Sequence, residues 1–95
     1  MIELMARFVG TFRSISGESE VIFNLKDKTC VGTVIHKIVE RFPKLEEMLV
    51  FSKEKNGIIN ALVLLNGREI GVLKNLDTVI EDGDELVLIP VSHGG

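Results

Sequence analysis

The chain has 95 residues, 45% of them apolar and 26% charged, which is the composition of a single globular domain and leaves no room for a second core. Five Phe with no Trp or Tyr make a poor stacking platform for nucleic-acid bases, and a net charge of −3 removes the basic field that phosphate backbones need. The balance points instead to basic or neutral protein surfaces as partners. The single cysteine, Cys30, has no intramolecular disulfide partner, and with only His36 and His93 beside it a structural metal site is not expected. No apolar run approaches the roughly 20 residues of a membrane span. The opening Met1-Ile2-Glu3-Leu4 lacks the basic start of a signal peptide. The expected setting is a reduced cytoplasm, with no membrane and no nucleic acid as partner.

In chain order, residues 2–12 alternate, with Ile2, Leu4, Ala6, Phe8, Gly10 and Phe12 on one face, and this period predicts a half-buried strand. Residues 14–19 have turn composition around Gly17. Glu20 to Leu25 alternates again with Val21, Phe23 and Leu25 inward, so the two runs read as an antiparallel hairpin. Thr29 is the expected N-cap of a helix whose apolar positions, Val31, Val34, Ile35, Ile38, Val39 and Phe42, lie on one face. Pro43 stops that helix and opens a short turn through Leu45 and Met48.

Lys53 to Gly57 reads as a polar loop. Ile59 to Leu65 reads as a strand covered on both faces, and Asn66-Gly67 is a hairpin turn because both residues tolerate positive φ. Arg68 to Val72 then returns briefly, and Asp77 to Glu81 forms a turn or helical loop. Asp82-Gly83-Asp84 turns the chain into a last strand, Glu85 to Ile89, where Pro90 is expected to end the pairing. The order β-β-α-β-β with one main helix packed on one face of a mixed sheet is an α+β, β-grasp arrangement. It assigns residues 1–90 to the domain and 91–95 to a flexible C-terminal diglycine tail.

No ordinary active site emerges. Glu46, Glu47 and the group Glu81, Asp82, Asp84 and Glu85 fall in turns and strand starts, where carboxylates are solvated, and no phosphate-loop or zinc-helix motif is present. Cys30 lies near a helix start, where the dipole can lower a thiol pKa. With no base beside it in sequence, it reads as a small half-buried residue. The informative feature is the end of the chain. With nine glycines in the sequence, chance places Gly at both final positions about 1 time in 100. A terminal carboxylate, which ordinarily titrates at ~3.3–3.7, is ionised at neutral pH and is a poor electrophile until it is converted to an acyl-adenylate. Two residues without Cβ can thread the narrow channel of an enzyme that performs this activation.

The run from Arg7-Phe8 to Gly17, the segment Leu64-Leu65-Asn66-Gly67-Arg68, the turn and strand Glu81-Asp82-Gly83-Asp84-Glu85-Leu86 and the end Ile89-Pro90-Val91-Ser92-His93-Gly94-Gly95 resemble the MoaD/ThiS sulfur-carrier family. Within it, the likeness is greatest to the small subunit of molybdopterin synthase and its archaeal ubiquitin-like relatives. The resemblance implies a ubiquitin-like β-grasp fold and a C-terminal glycine adenylated by an E1-like enzyme that uses ATP, with no cofactor bound by the chain itself.

In the sulfur carriers the product is a thiocarboxylate whose sulfur goes to a cofactor precursor in molybdenum cofactor biosynthesis. In the ubiquitin-like members the activated glycine is joined to a target lysine. By position, Gly95 matches the activated glycine and Gly94 its partner. Pro90, Val91, Ser92 and His93 match the tail, and Arg13 matches an Arg after the first strand. Val9 and Ile89 match apolar positions that dock the activating enzyme and the large synthase subunit. Two positions depart from the synthase pattern. Glu69 stands where the family has an apolar residue after the Asn-Gly turn, and the tail carries His93 and lacks a second Pro. The resemblance therefore implies a sulfur-donating subunit that is not an enzyme by itself, with a protein modifier as the alternative. A β-grasp interaction module that is never activated is the reading outside that chemistry.

Overall fold

Alternation does produce the first strand, but over a shorter span than expected. In the computed structural model, which describes residues 1–91, β1 runs Ile2–Phe8 and buries Ile2, Leu4, Ala6 and Phe8 on one face. It stops there because Gly10 takes φ +60° and ψ −134°, a backbone conformation closed to most L-residues, and turns the chain into a helix, α1 (Thr11–Ser16). The expected strand to Phe12 and turn over 14–19 are thus corrected. Phe12 is buried as the alternation suggests, but from a helix. Gly17, in the left-handed conformation, closes α1 with its N–H on the Arg13 carbonyl.

Strand β2 (Glu20–Leu25) returns antiparallel to β1, pairing Arg7 with Glu20 and Ile2 with Leu25. Helix α2 (Val31–Arg41) buries Val31, Val34, Ile35, Ile38 and Val39. Each such aliphatic side chain contributes about 1.5–3 kcal/mol, an upper estimate against an extended unfolded chain. Its N-cap is Cys30, not Thr29, whose hydroxyl instead donates to the Lys26 carbonyl and tightens the preceding turn. Pro43 opens α3 (Pro43–Glu46), which buries Leu45.

The polar loop expected over 53–57 joins two short strands that the sequence analysis did not resolve, β3 (Phe51–Ser52) and β4 (Gly57–Ile58). β5 begins two residues later than expected, at Ala61, and runs to Leu65. Asn66 and Gly67 both take positive φ, as their turn requires. The return strand β6 is only Arg68–Glu69, because a 3-10 turn at Ile70–Val72 takes over once the Glu69 carboxylate accepts the Gly71 N–H. A second 3-10 turn spans Asn75–Asp77.

The last strand, β7 (Asp84–Pro90), lies in the middle of the sheet, whose order is β2-β1-β7-β5-β6. It runs parallel to β1 and antiparallel to β5, so the sheet is mixed, with α2 as the crossover between hairpins. Pro90 does not end the pairing, since it still faces Ala61, and the Val91 N–H donates to the Asn60 carbonyl beyond it. The reason is geometric. In an antiparallel ladder hydrogen-bonded and non-bonded positions alternate, so the proline nitrogen points away from β5, toward the side where β1 has already ended. The other sheet face carries Met5, Ile22, Leu62, Leu64, Val87 and Ile89, interspersed with Glu3, Arg7, Glu20, Asn24 and Glu85, at the outward positions of the four longer strands.

Candidate functional site

β7, the central strand, ends at Pro90, and five of the expected site residues meet around that end. Register continues Phe8–Leu88 pairing to place Val9 beside Ile89, and the Val9 N–H donates to the Leu88 carbonyl at 3.2 Å. Ile89 lies opposite Leu62 and is half-buried, whereas Val9 and Val91 are exposed. Pro90 packs against the turn at Gly10, where a Cβ would come within 3.1 Å of the proline Cγ. Arg13, exposed on α1, lines a hollow of about 330 Å³ with Arg7, Val9, Glu20 and Val87. The expected residues Ser92, His93, Gly94 and Gly95 lie outside the described residues.

The exit is held by a residue the sequence analysis missed. Asn60 accepts the Val50 N–H on Oδ1 at 2.8 Å and donates from Nδ2 to the Met48 carbonyl. Its own carbonyl accepts the Val91 N–H at 3.0 Å. One side chain and its backbone thus tie the loop after α3 to Val91, the last described residue. A polar Asn interrupting the apolar run Ile58 to Leu65 was the available signal. A cavity of about 390 Å³ opens at the same place, lined by Thr11, Phe12, Met48, Asn60, Pro90 and Val91.

Charge on the outer face is organised rather than scattered. The Arg7 guanidinium lies 3.1 Å from Glu20 and 3.7 Å from Glu85, across both neighbouring strands. The hydrogen bond to Glu20, followed by the field of Glu85, pushes the Arg7 pKa further up. Apolar Met5, Ile22, Leu64 and Val87 surround this triad. The outer face therefore offers an apolar surface with a compensated polar centre, beginning next to the tail exit.

The carboxylates near the last strand do serve turns. Asp82 accepts the Glu3 N–H at 2.7 Å, and Asp84 accepts the Glu81 N–H and the Asn66 amide. The Asn66 side chain in turn accepts the Glu85 N–H at 2.9 Å. At Cys30, burial pushes the thiol pKa up, but the Thr33 hydroxyl at 3.4 Å and the Thr33 and Gly32 backbone N–H groups outweigh it, and the net shift is downward. Among the described residues no group of three His, Cys, Asp or Glu is placed to hold a metal ion.

The architecture is that of the ubiquitin-like β-grasp proteins, and the sequence pattern of the ThiS family matches residues 6–95. The chain belongs to the ThiS family. It is 32% identical over 94 residues to small archaeal modifier protein 3 of Haloferax volcanii, a match covering 99% of this chain and all of that one. Among solved structures it resembles the solution structure of the Haloferax volcanii HVO 2177 protein, at 29% identity and a TM-score of 0.83, covering 99% of this chain and 87% of the other. A Pyrococcus furiosus protein described as subunit 1 of a molybdopterin converting factor shares the fold, at 23% identity and a TM-score of 0.80, covering 97% of this chain and all of that one.

Proposed function

We propose that this chain is a carrier that works through the carboxylate of Gly95. An E1-like enzyme binds the outer face around Val9, Ile89 and Leu62 and takes the tail, Val91 to Gly95, into its own site. There the carboxylate attacks the α-phosphate of ATP, pyrophosphate leaves, and the acyl group of Gly95 becomes electrophilic. Hydrosulfide then displaces AMP to give the thiocarboxylate, and its sulfur passes to a cofactor precursor held by the large subunit of molybdopterin synthase, in molybdenum cofactor biosynthesis, while water restores the Gly95 carboxylate. ATP is used by the activating enzyme, and the chain needs no cofactor of its own. Pro90, Ser92 and His93 act as the recognition stem, and Arg13 acts as a charged contact at its base.

The observation supporting this reading is the juxtaposition at the end of β7: an exposed Val91 held by Asn60, next to exposed Val9 and the half-buried apolar side chains of Ile89 and Leu62. β7 is held between two neighbours up to Val91, so a partner that docks on the face meets the last described residue of the strand.

A second reading, in which the activated Gly95 is joined to lysines of target proteins, is favoured by the whole-length relative named as a modifier. Both readings share activation and differ in the nucleophile that ends it. ATP–pyrophosphate exchange with a purified E1-like enzyme tests the shared step. Exchange that requires Gly95 is the expected result, and exchange unchanged by its deletion contradicts the proposal. With activation in hand, tight binding to a large synthase subunit selects the sulfur reading, and lysine adducts without it select the modifier.

A further inference from the structure

The two edges of the sheet are not alike. One edge, β6, is two residues long, charged, and ends in a 3-10 turn, which are features that prevent further strand addition. The other edge, β2, is six residues long and contains no Pro, Gly or Lys. No other strand pairs with its outer side among the described residues.

Its register identifies the free groups. The Phe8 N–H donates to the Ser19 carbonyl, so Ser19, Val21, Phe23 and Leu25 direct their backbone groups toward β1. Glu20, Ile22 and Asn24 therefore direct theirs outward. An edge of this kind accepts one further strand through main-chain hydrogen bonds, with side chains setting the choice of partner.

The sequence of the edge is complementary to itself. Two antiparallel copies related by a two-fold axis at Ile22 place Ile22 opposite Ile22 and Glu20 opposite Asn24 of the second copy. All outward-facing backbone groups then meet outward-facing ones. Just beyond the strand at either end, exposed Glu18 falls opposite exposed Lys26 of the second copy in the same register. Ile22 is 43% exposed and neighbours Met5 on β1, so the pairing completes an apolar row, Met5–Ile22–Ile22–Met5, across the axis. Shifting the axis to Glu20 sets two like charges face to face, which disfavours that register.

We propose that β2 is a self-association edge, through which two copies join their five-stranded sheets into one continuous sheet by antiparallel β2–β2 pairing centred on Ile22. Because β1 and β7 run parallel, the two Val91 exits lie at opposite ends of the joined sheet, so neither blocks the other. The contact is a single strand pair, well below about 1,200 Å², and therefore forms a transient, concentration-dependent dimer.

Sedimentation velocity with parallel amide hydrogen exchange, from about 20 μM to about 1 mM, tests the proposal. The expected result is a shift from monomer to dimer over that range, with protection gained at the Glu20, Ile22 and Asn24 amides. Ile22→Lys, which sets two cations on the axis at an already exposed position, is expected to remain monomeric throughout with an unchanged circular dichroism spectrum. Glu18→Lys and Lys26→Glu are each expected to weaken association several-fold, and the double reversal to restore it. A chain that stays monomeric at the highest concentration overturns the proposal and leaves the edge to an extended segment of a different protein. Association insensitive to Ile22→Lys, or a double reversal no better than the singles, overturns it as well, because the contact then lies elsewhere.

Discussion

Two residues govern the end of β7. Gly10 holds φ +60° and ψ −134° while its α-carbon faces Pro90, so an added methyl meets both backbone strain and a 3.1 Å contact. Gly10→Ala is expected to cost about 1–3 kcal/mol in a urea titration, and a loss below about 0.5 kcal/mol contradicts this account of the turn. Asn60→Ala leaves the Val50 N–H and the Met48 carbonyl without their side-chain partner. Its expected cost is about 1–3 kcal/mol, with faster amide exchange at Val50 and Val91 as the local sign. An exchange rate at Val91 that does not change shows that Asn60 leaves the exit unaffected.

At the level of elements, what was legible was whatever rests on side-chain period. The face of α2 and the inward positions of β1 and β2 follow from burial periodicity, which packing against one core enforces. The limits of the elements were less legible because backbone geometry sets them. The strand expected to reach Phe12 ends at Phe8 because Gly10 turns, and Phe12 satisfies the same burial pattern from a helix. Thr29 has the chemistry of an N-cap but uses its hydroxyl on Lys26, which passes the cap position to Cys30.

At that helix start the thiol is a measurable consequence. Its depressed pKa means that Cys30 contributes stability above the unfolded thiol pKa, and the contribution is lost as pH falls through the folded value. The pH midpoint of alkylation is therefore expected below that of an unstructured cysteine. Thr33→Val is expected to move it upward by removing the hydroxyl hydrogen bond. A midpoint at or above the free value contradicts the net effect of those hydrogen bonds.

Across the whole molecule, the ubiquitin-like sheet places the outer face and Val91, the last described residue, side by side. Val9, Ile89, Pro90 and Val91, which the family resemblance offered as partner-binding positions, lie together because β1 and β7 are parallel neighbours. Asn60 and the Arg7–Glu20–Glu85 triad were not legible, since each depends on pairing across strands distant in sequence. Among the described residues the buried core is assembled between Ile2 and Leu88. Removing Gly95 is thus expected to abolish activation while leaving the melting temperature within a few degrees, and a large loss of stability contradicts a purely functional end.

The most direct test of Gly95 as the working group is intact mass after incubation with ATP, a sulfur donor and cell extract of the source organism. The expected result is a gain of about 16 Da, one oxygen exchanged for sulfur, located at Gly95 by fragmentation. Lysine-linked adducts without that gain transfer the same activated glycine to the modifier reading. A chain recovered with neither change, while the activating enzyme in the extract is demonstrably working, contradicts the claim that this carboxylate is activated.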